Sequence, residues 1–315
     1  MHNVLLGIFR TLLKFWTETS NKPYSLPTAA KQEIDRRIHS VKRQICSEFE
    51  GSPRPLEKLE FYKATELRLM LLYLGPFLFH TVVKEPYYEH FLLLASAIRI
   101  LCHPTWYVTQ NNTAKTLLKL FGEKFQLYYG EQFFGYNFHI CSAHLADNSL
   151  SHGNLDAFSA FPFENYSQIM LHYIKKAPNP LQQFKTRLEE HLNFETSSKK
   201  KVCKQRGDHY SVITNEKNCT ISDHPNDNFI FANNNVYQVQ NITKNNHDFE
   251  LKCKKVTHLL SLYMDPLPSK SVGLFCSGSL TLESDIVLFN SNSVSKVLCI
   301  NFDNIFGFIV VLYTS

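Results

Sequence analysis

Residues 196–207 read TSSKKKVCKQRG, and the pattern of apolar residues changes across this stretch. Before it, apolar side chains recur at helical spacing; after it, short apolar runs alternate with residues typical of turns. The stretch itself is basic, through Lys199, Lys200, Lys201, Lys204 and Arg206. We therefore predict a helical domain at residues 1–195, a basic linker at 196–207 and a small β-rich domain at 208–315.

The first part contains several segments in which apolar residues fall on one side of a helix. They lie at residues 4–16, 29–44, 56–74, 87–101 and 112–129. Gly75-Pro76 is expected to interrupt the apolar run at 69–79. Asn111 begins a capping signal before the last segment. These segments predict a mainly helical domain.

Two further helices are expected near the end of this part. Pro162 suits the first turn of a helix, because its missing amide hydrogen would have no partner there in any case. Lys175-Lys176 suit the end of that helix, and the next one would span 181–192. The predicted buried faces consist of Phe163, Tyr166, Met170, Tyr173 and Ile174 in the first helix and Leu181, Phe184, Leu188 and Leu192 in the second.

The second part of the chain predicts antiparallel β structure. The asparagines of Asn233-Asn234-Asn235 can adopt the positive φ of a tight hairpin between residues 229–231 and 236–242. Short apolar runs follow at 249–253, 259–263, 272–275, 286–289, 296–300 and 306–313. The chain as a whole is predicted to have an α+β fold, in which a mainly helical part precedes a small antiparallel β barrel or sandwich.

The composition of the chain limits the class of protein. Its 315 residues are 44% hydrophobic and 19% charged, which excludes a disordered chain, a collagen-like fibre and a highly charged coiled coil. The net charge of +5 permits nucleic acid as a partner but does not require it. The apolar runs are shorter than the ~20 residues of a membrane span, and the scattered cysteines indicate reduced thiols. We expect an intracellular protein, nuclear or cytoplasmic, with no membrane partner.

The common catalytic motifs are missing from the sequence. It contains no phosphate-binding glycine loop, no G-x-S-x-G turn and no H-E-x-x-H helix. Cys141 and His144 lie three residues apart, as two zinc ligands do, but no second pair stands out to complete a four-ligand site. We therefore expect a structural thiol, and we expect His139 and His144 to be hydrogen-bonded within the core.

Several segments of the first part share a resemblance to one protein family. They are MHNVLLG at 1–7, KATELR at 63–68, LYLGP at 72–76, YYEHFLLL at 87–94, AIRIL at 97–101, FSAFPFENY at 158–166 and PLQQ at 180–183. Together they resemble the CACTA-like group of DDE transposases over residues 1–194, and the β-rich part resembles the tail of that family only faintly. The chain looks like the later half of a transposase domain-containing protein.

The resemblance implies an RNase H-like catalytic domain in which acidic residues hold two Mg²⁺ ions for attack on DNA. Two such ions roughly 3.5–4 Å apart need several carboxylates. By motif position, Glu164 matches the last acidic residue of the family, whereas the two upstream aspartates precede the segment that begins at Met1. Asp147 and Asp156 are expected to act in turns or caps. We therefore expect a catalytically incomplete remnant that retains no cofactor.

The alternative is a protein that binds DNA or other proteins without enzymatic activity. The residues expected to contact DNA phosphates non-specifically are Arg36, Arg37, Lys42, Arg43, Lys199, Lys200, Lys201, Lys204 and Arg206. Basic runs of this kind are also typical of solvated surfaces. A third hypothesis is a helical scaffold that pairs with itself or with other proteins.

Overall fold

The computed structural model describes residues 1–49, 51–195, 203–206, 209–216, 219–245 and 248–312. Helices occupy the first part of the chain and antiparallel strands the second, which confirms the α+β class. Of the predicted linker at 196–207, residues 203–206 are described and form a strand. The other linker positions lie outside the described residues.

The segments with apolar stripes are helical, as predicted. The α-helices are α1 (Arg10–Glu18), α2 (Thr28–Val41), α3 (Ala64–Leu69), α4 (Gly75–Leu78), α5 (Glu85–Cys102), α6 (Trp106–Thr109), α7 (Asn111–Tyr129), α8 (Tyr136–His139), α9 (Leu145–His152), α10 (Phe161–Tyr173) and α11 (Pro180–Glu195). Turns of π-helix lie at Asn3–Phe9, Met70–Leu74 and Ile140–His144, and 3-10 turns lie at Lys42–Gln44, Leu56–Phe61 and Glu131–Phe133. The segment at 56–74 is thus divided among three kinds of helix.

The chain stays helical through Gly75-Pro76, contrary to the prediction that this pair interrupts the segment. Pro76 has no amide hydrogen to give to the carbonyl of Leu72, four residues earlier. That carbonyl instead accepts a hydrogen bond from the Arg99 guanidinium at 2.6 Å. The π-helical turn Met70–Leu74 directly before the proline changes the local hydrogen-bond spacing. The helix tolerates proline here because another group satisfies the carbonyl.

Asn111 does not cap α7 as predicted. It lies inside the helix, and its side-chain amide donates hydrogen bonds to the carbonyls of Tyr107, at 3.0 Å, and Ala146, at 2.9 Å. A single residue separates the short helix α6 from α7. The chain therefore enters α7 from a helical turn, and α7 has no extended residue before it to act as a cap. Asn111 therefore ties the start of α7 to α9.

The helix α5 lies at the centre of the molecule. Every residue from His90 to Cys102 is buried, and a helix that is buried on all sides needs neighbours on all sides. α7 packs against α5, and so does the 3-10 turn Ser269–Val272 of the second part. Leu298 and Ile300 of the second part belong to the same hydrophobic cluster as the buried residues of α5. The helical and β-rich parts therefore share one core.

The strands of the second part form antiparallel sheets that curl into a half-barrel. They are β1 (Cys203–Arg206), β2 (His209–Thr214), β3 (Thr220–Ser222), β4 (Phe229–Ala232), β5 (Asn235–Asn245), β6 (Asp248–Val256), β7 (Leu274–Ser277), β8 (Leu282–Asn290), β9 (Ser295–Phe302) and β10 (Ile305–Val310). The first three make a three-stranded sheet, and the others make a seven-stranded sheet in the order β7-β10-β9-β4-β5-β6-β8.

The asparagine hairpin is confirmed, and one predicted strand is wrong. Asn233 and Asn234 have φ values of 48° and 59° and connect β4 to β5. The run at 259–263 is not a strand, since only Leu260 forms an isolated bridge, to Cys276. The hydroxyl groups of Tyr263 and Ser96 lie 3.2 Å apart. Leu262 and Tyr263 instead pack against the hydrophobic cluster that contains α5.

His90 makes the stability of the fold dependent on pH. Its Nε2 donates a hydrogen bond to the Phe121 carbonyl at 3.0 Å, and its Nδ1 is buried without a partner. Burial lowers the pKa of His90 to about 4. Between the ordinary histidine pKa and this value the unfolded chain binds a proton that the folded chain does not, so stability falls as the pH falls.

We expect this histidine to cost on the order of 3 kcal/mol of stability when the pH drops from about 6.5 to about 4. Replacing His90→Phe keeps the ring stacking on Phe121, whose centroid lies 4.4 Å away, and removes the titrating group. Urea unfolding at several pH values in this range measures the difference. A pH dependence that is identical in the wild type and the variant would show that His90 is not responsible.

Candidate functional site

Glu164 lies in the first turn of α10, where the position of Pro162 predicts a helix start. Its side chain is 51% exposed, and its Oε1 lies 3.1 Å from Nδ1 of His2. A carboxylate at a helix N-terminus is stabilised by roughly 0.3–1 kcal/mol through the helix dipole. The immediate surroundings of Glu164 are thus a helix end and a histidine.

The two neighbouring aspartates are paired with cations. Asp156 accepts two hydrogen bonds from Arg68, at 2.7 and 2.9 Å, and its side chain is 9% exposed. Asp147 accepts from Nζ of Lys115, at 2.8 Å to each oxygen. The expectation of a turn or cap role missed these ion pairs, because both cations come from helices distant in sequence.

The residues around Glu164 do not fit a pair of Mg²⁺ ions. Two such ions need several oxygen ligands, and one carboxylate usually bridges them. Within the described residues, no cluster of three or more potential metal ligands includes Glu164. The carboxylates of Asp147 and Asp156 are held by Lys115 and Arg68. We therefore assign no catalytic step that uses a metal pair to these residues.

Arg37 does not face solvent, although the sequence analysis treated it as a phosphate ligand. It is buried, and its guanidinium donates to the carbonyls of Leu78, at 3.1 Å, and His80, at 2.7 Å. It also bonds to Glu33 at 2.8 Å and lies over the ring of Phe302. Arg37 therefore satisfies the carbonyls at the end of α4 and is occupied inside the fold.

The other basic residues of this helix differ in their availability. Arg36 is half-exposed and pairs with Glu33 at 2.7 Å and Asp303 at 2.5 Å. The hydrogen bond from Arg36 is the main reason that the pKa of Glu33 is lowered to about 2. Lys42 and Arg43 are exposed on the following 3-10 turn and form no ion pair within the described part of the chain.

The basic residues predicted in the linker are only partly described. Lys204 is exposed on β1. Arg206 ends the same strand, but its side chain lies outside the described positions, as do Lys199, Lys200 and Lys201. The described residues of this region therefore place one basic side chain, Lys204, on the surface.

A charged cluster that was not predicted from the sequence lies between the helical and β-rich parts. Lys296 on β9 is fully buried and bonds to Asp227 at 2.8 Å and to the carbonyl of Thr220. Its ammonium lies 3.8 Å from Glu48. Ligand atoms of Cys46, Glu48 and Asp227 lie within 4.8 Å of one another, which is the spacing of a metal site.

The chemistry of this cluster favours an internal ion pair over a metal centre. The Lys296 ammonium already supplies the positive charge that the carboxylates of Glu48 and Asp227 need. Burial raises the pKa of the Cys46 thiol well above its ordinary value, so the sulfur stays protonated and is a poor ligand. No single segment of the sequence could have revealed the cluster, because its members are far apart in the chain.

A cavity of about 570 Å³ opens beside the N-terminal end of α5. Its lining includes Lys84, Glu85, Glu89 and Asp265, which carry both signs of charge. The Tyr88 hydroxyl in its wall donates to a backbone carbonyl at 2.6 Å, and burial raises the pKa of this phenol. Tyr88 is therefore not an activated nucleophile.

The helices α10 and α11 form a hairpin, called the helical hairpin below, whose apolar side chains are largely exposed. Phe163 is 76% exposed and Leu181 is 82% exposed. Tyr173 and Phe184 bring the two helices together, with ring centroids 6.1 Å apart. None of the described side chains of either helix is buried. The predicted burial of these stripes is therefore wrong.

No protein-family model, curated protein or solved structure matches this chain. Among the residues that the structure describes, no helix combines the length and apolar character that a membrane span requires.

Proposed function

We propose that this chain is a transposon-derived protein related to the CACTA-like DDE transposases and that it does not cut or join DNA by itself. The relationship is supported by the segments at 56–76, 87–101 and 158–166, which resemble that family. The lack of strand cleavage is supported by the surroundings of Glu164, whose carboxylate faces His2. This contact is the main support for the proposal. Two-metal chemistry needs further carboxylates beside Glu164, and the structure has a histidine in contact with it.

In this proposal, the chain no longer cuts DNA but still associates with itself through the helical hairpin. The exposed large apolar residues of the hairpin and the segment before it are Phe158, Phe163, Tyr166, Ile169, Leu171, Ile174, Leu181 and Leu192. A standard protein interface buries about 800 Å² per partner. The exposed apolar side chains of the hairpin supply part of such an area.

A second copy of the chain is the partner that the hairpin charges favour. On α11, Lys185 lies 3.9 Å from Glu189 and Arg187 lies 2.6 Å from Glu190. Because each of these two pairs is neutral, the pairs do not make two copies related by a two-fold axis repel each other. Two hairpins packed in this way would form a four-helix bundle.

Binding of DNA is less well supported than self-association. Arg37 is occupied inside the fold, and Arg36 pairs with two carboxylates. Lys42, Arg43 and Lys204 are the described members of the predicted set that are exposed without an ion pair in the described residues. Three exposed cations support at most weak, salt-sensitive contact with phosphates.

Sedimentation analysis over a range of concentrations tests self-association. We expect the wild type to form a dimer, and we expect Leu181→Glu to raise the dissociation constant at least about tenfold, which corresponds to ~1.4 kcal/mol. Leu127→Glu is the matched control, because Leu127 is 78% exposed on α7, outside the hairpin. A wild type that stays monomeric, or an equal effect of both variants, would rule out the hairpin as the interface.

A further inference from the structure

Two histidines outside the sites described above are brought together by a turn of π-helix. His139 ends α8, the turn spans Ile140–His144, and α9 follows. In an α-helix, residues five apart lie about 140° from each other around the axis. A π-helical turn repeats after about five residues and places such a pair on one side. His139 and His144 therefore share one face of the chain here.

The two rings meet through their Nε2 atoms. The Nε2–Nε2 distance is 3.3 Å, and the ring planes are 76° apart. Both side chains are exposed, so the expectation that these histidines lie hydrogen-bonded within the core is wrong. The backbone beneath them is held in place by Phe138, Cys141 and Leu145, which are buried. The pair is thus a surface feature on a fixed frame.

This separation matches the geometry of a chelated transition metal. Zinc binds imidazole nitrogen at about 2.0–2.1 Å, and two ligands of a tetrahedral zinc ion at that bond length lie about 3.3–3.4 Å apart. The observed 3.3 Å is the same distance. One ion placed between the rings would therefore reach both nitrogens with little change in the positions of the side chains.

We propose that His139 and His144 form a binding site for one Zn²⁺ ion. Imidazole nitrogen suits zinc and its neighbours copper and nickel, whereas Mg²⁺ and Ca²⁺ prefer oxygen. The site is independent of the helical hairpin and of Glu164. In the absence of metal, one ring donates its Nε2 hydrogen to the Nε2 of the other.

The remaining ligands of the ion are water molecules. Cys141 lies between the two histidines in sequence, but its side chain is buried in the core. It is therefore not available as a third ligand. No third histidine, cysteine or carboxylate of the described residues completes a cluster with this pair. Two rings on one rigid frame still bind roughly 100-fold more tightly than one, because the second contact is intramolecular.

Calorimetric titration of the full chain, without a histidine tag, with ZnCl₂ tests the site. We expect one zinc ion per chain, and we expect His139→Ala and His144→Ala each to weaken binding by roughly 100-fold. His152→Ala is the control, since His152 is an exposed histidine on α9 outside the pair. Thermal unfolding of the metal-free variants verifies that each one folds.

Two further readouts distinguish chelation by imidazole from unspecific binding. Co²⁺ in place of Zn²⁺ should give visible absorption bands that both single variants lose, and MgCl₂ in excess should not compete. Binding that is unchanged in both histidine variants, or that the His152→Ala variant weakens equally, would overturn the proposal. So would a wild-type chain that binds zinc no more tightly than the single variants do.

Discussion

Replacing Arg99→Met is expected to lower the free energy of unfolding by about 3 kcal/mol or more. The guanidinium is fully buried and donates to the carbonyls of Leu72 at 2.6 Å, Val272 at 2.8 Å and Val310 at 2.9 Å. Methionine has similar bulk but no donor, so all three carbonyls lose this partner. A buried acceptor left unpaired costs roughly 1–3 kcal/mol.

Urea unfolding of the wild type and the variant measures this effect. Arg187→Met is the matched control, because Arg187 is half-exposed on α11 and its loss should change stability by less than about 0.5 kcal/mol. Arg99→Lys should recover only part of the loss, since one ammonium does not reproduce the planar fork of the guanidinium. An Arg99→Met protein as stable as the Arg187→Met protein would contradict the role of Arg99 in joining the two parts.

The second large effect is expected for Lys296→Met, at about 3–5 kcal/mol of lost stability. Removing the ammonium leaves the Asp227 and Glu48 carboxylates close together, with Glu48 Oε2 buried and without a hydrogen-bond partner. Breaking one side of a buried ion pair is strongly destabilising, because the remaining charge stays away from water.

The control for Lys296→Met is Lys244→Met, which changes an exposed lysine at the end of β5. The combined variant Lys296→Met with Asp227→Asn should recover part of the lost stability, because it removes one of the uncompensated carboxylates. If the single Lys296→Met variant unfolds at the same urea concentration as the control, the cluster does not stabilise the junction.

Local features of the sequence predicted local features of the fold. The helical periodicity of 87–101 and the asparagines at 233–235 act over a few residues, and the structure confirms both a helix and a hairpin there. The effect of Pro76 on its helix could not be predicted in this way. The carbonyl that the proline leaves without a donor is satisfied by Arg99, which is distant in sequence. The sequence pattern carries no sign of that partner.

The candidate sites were harder to predict because they depend on partners from elsewhere in the chain. Arg36 and Arg37 are neighbours in a basic helix, yet Arg37 is buried and Arg36 is bound to Asp303 of the β-rich part. Lys296 is in register with the buried residues Leu298 and Ile300 of β9, but a lysine is not expected at a core position. The histidine pair depends on a π-helical turn, and the sequence predicted only that both histidines lie within the core.

The central claim, that Glu164 lacks the companions of a two-metal centre, is tested most directly by a cleavage assay. Supercoiled plasmid and transposon-end duplexes are incubated with the purified chain in Mg²⁺ and in Mn²⁺, and the products are resolved on gels. We expect no nicking by the wild type above the level of Glu164→Ala. Metal-dependent nicking by the wild type that disappears in Glu164→Ala would contradict the account.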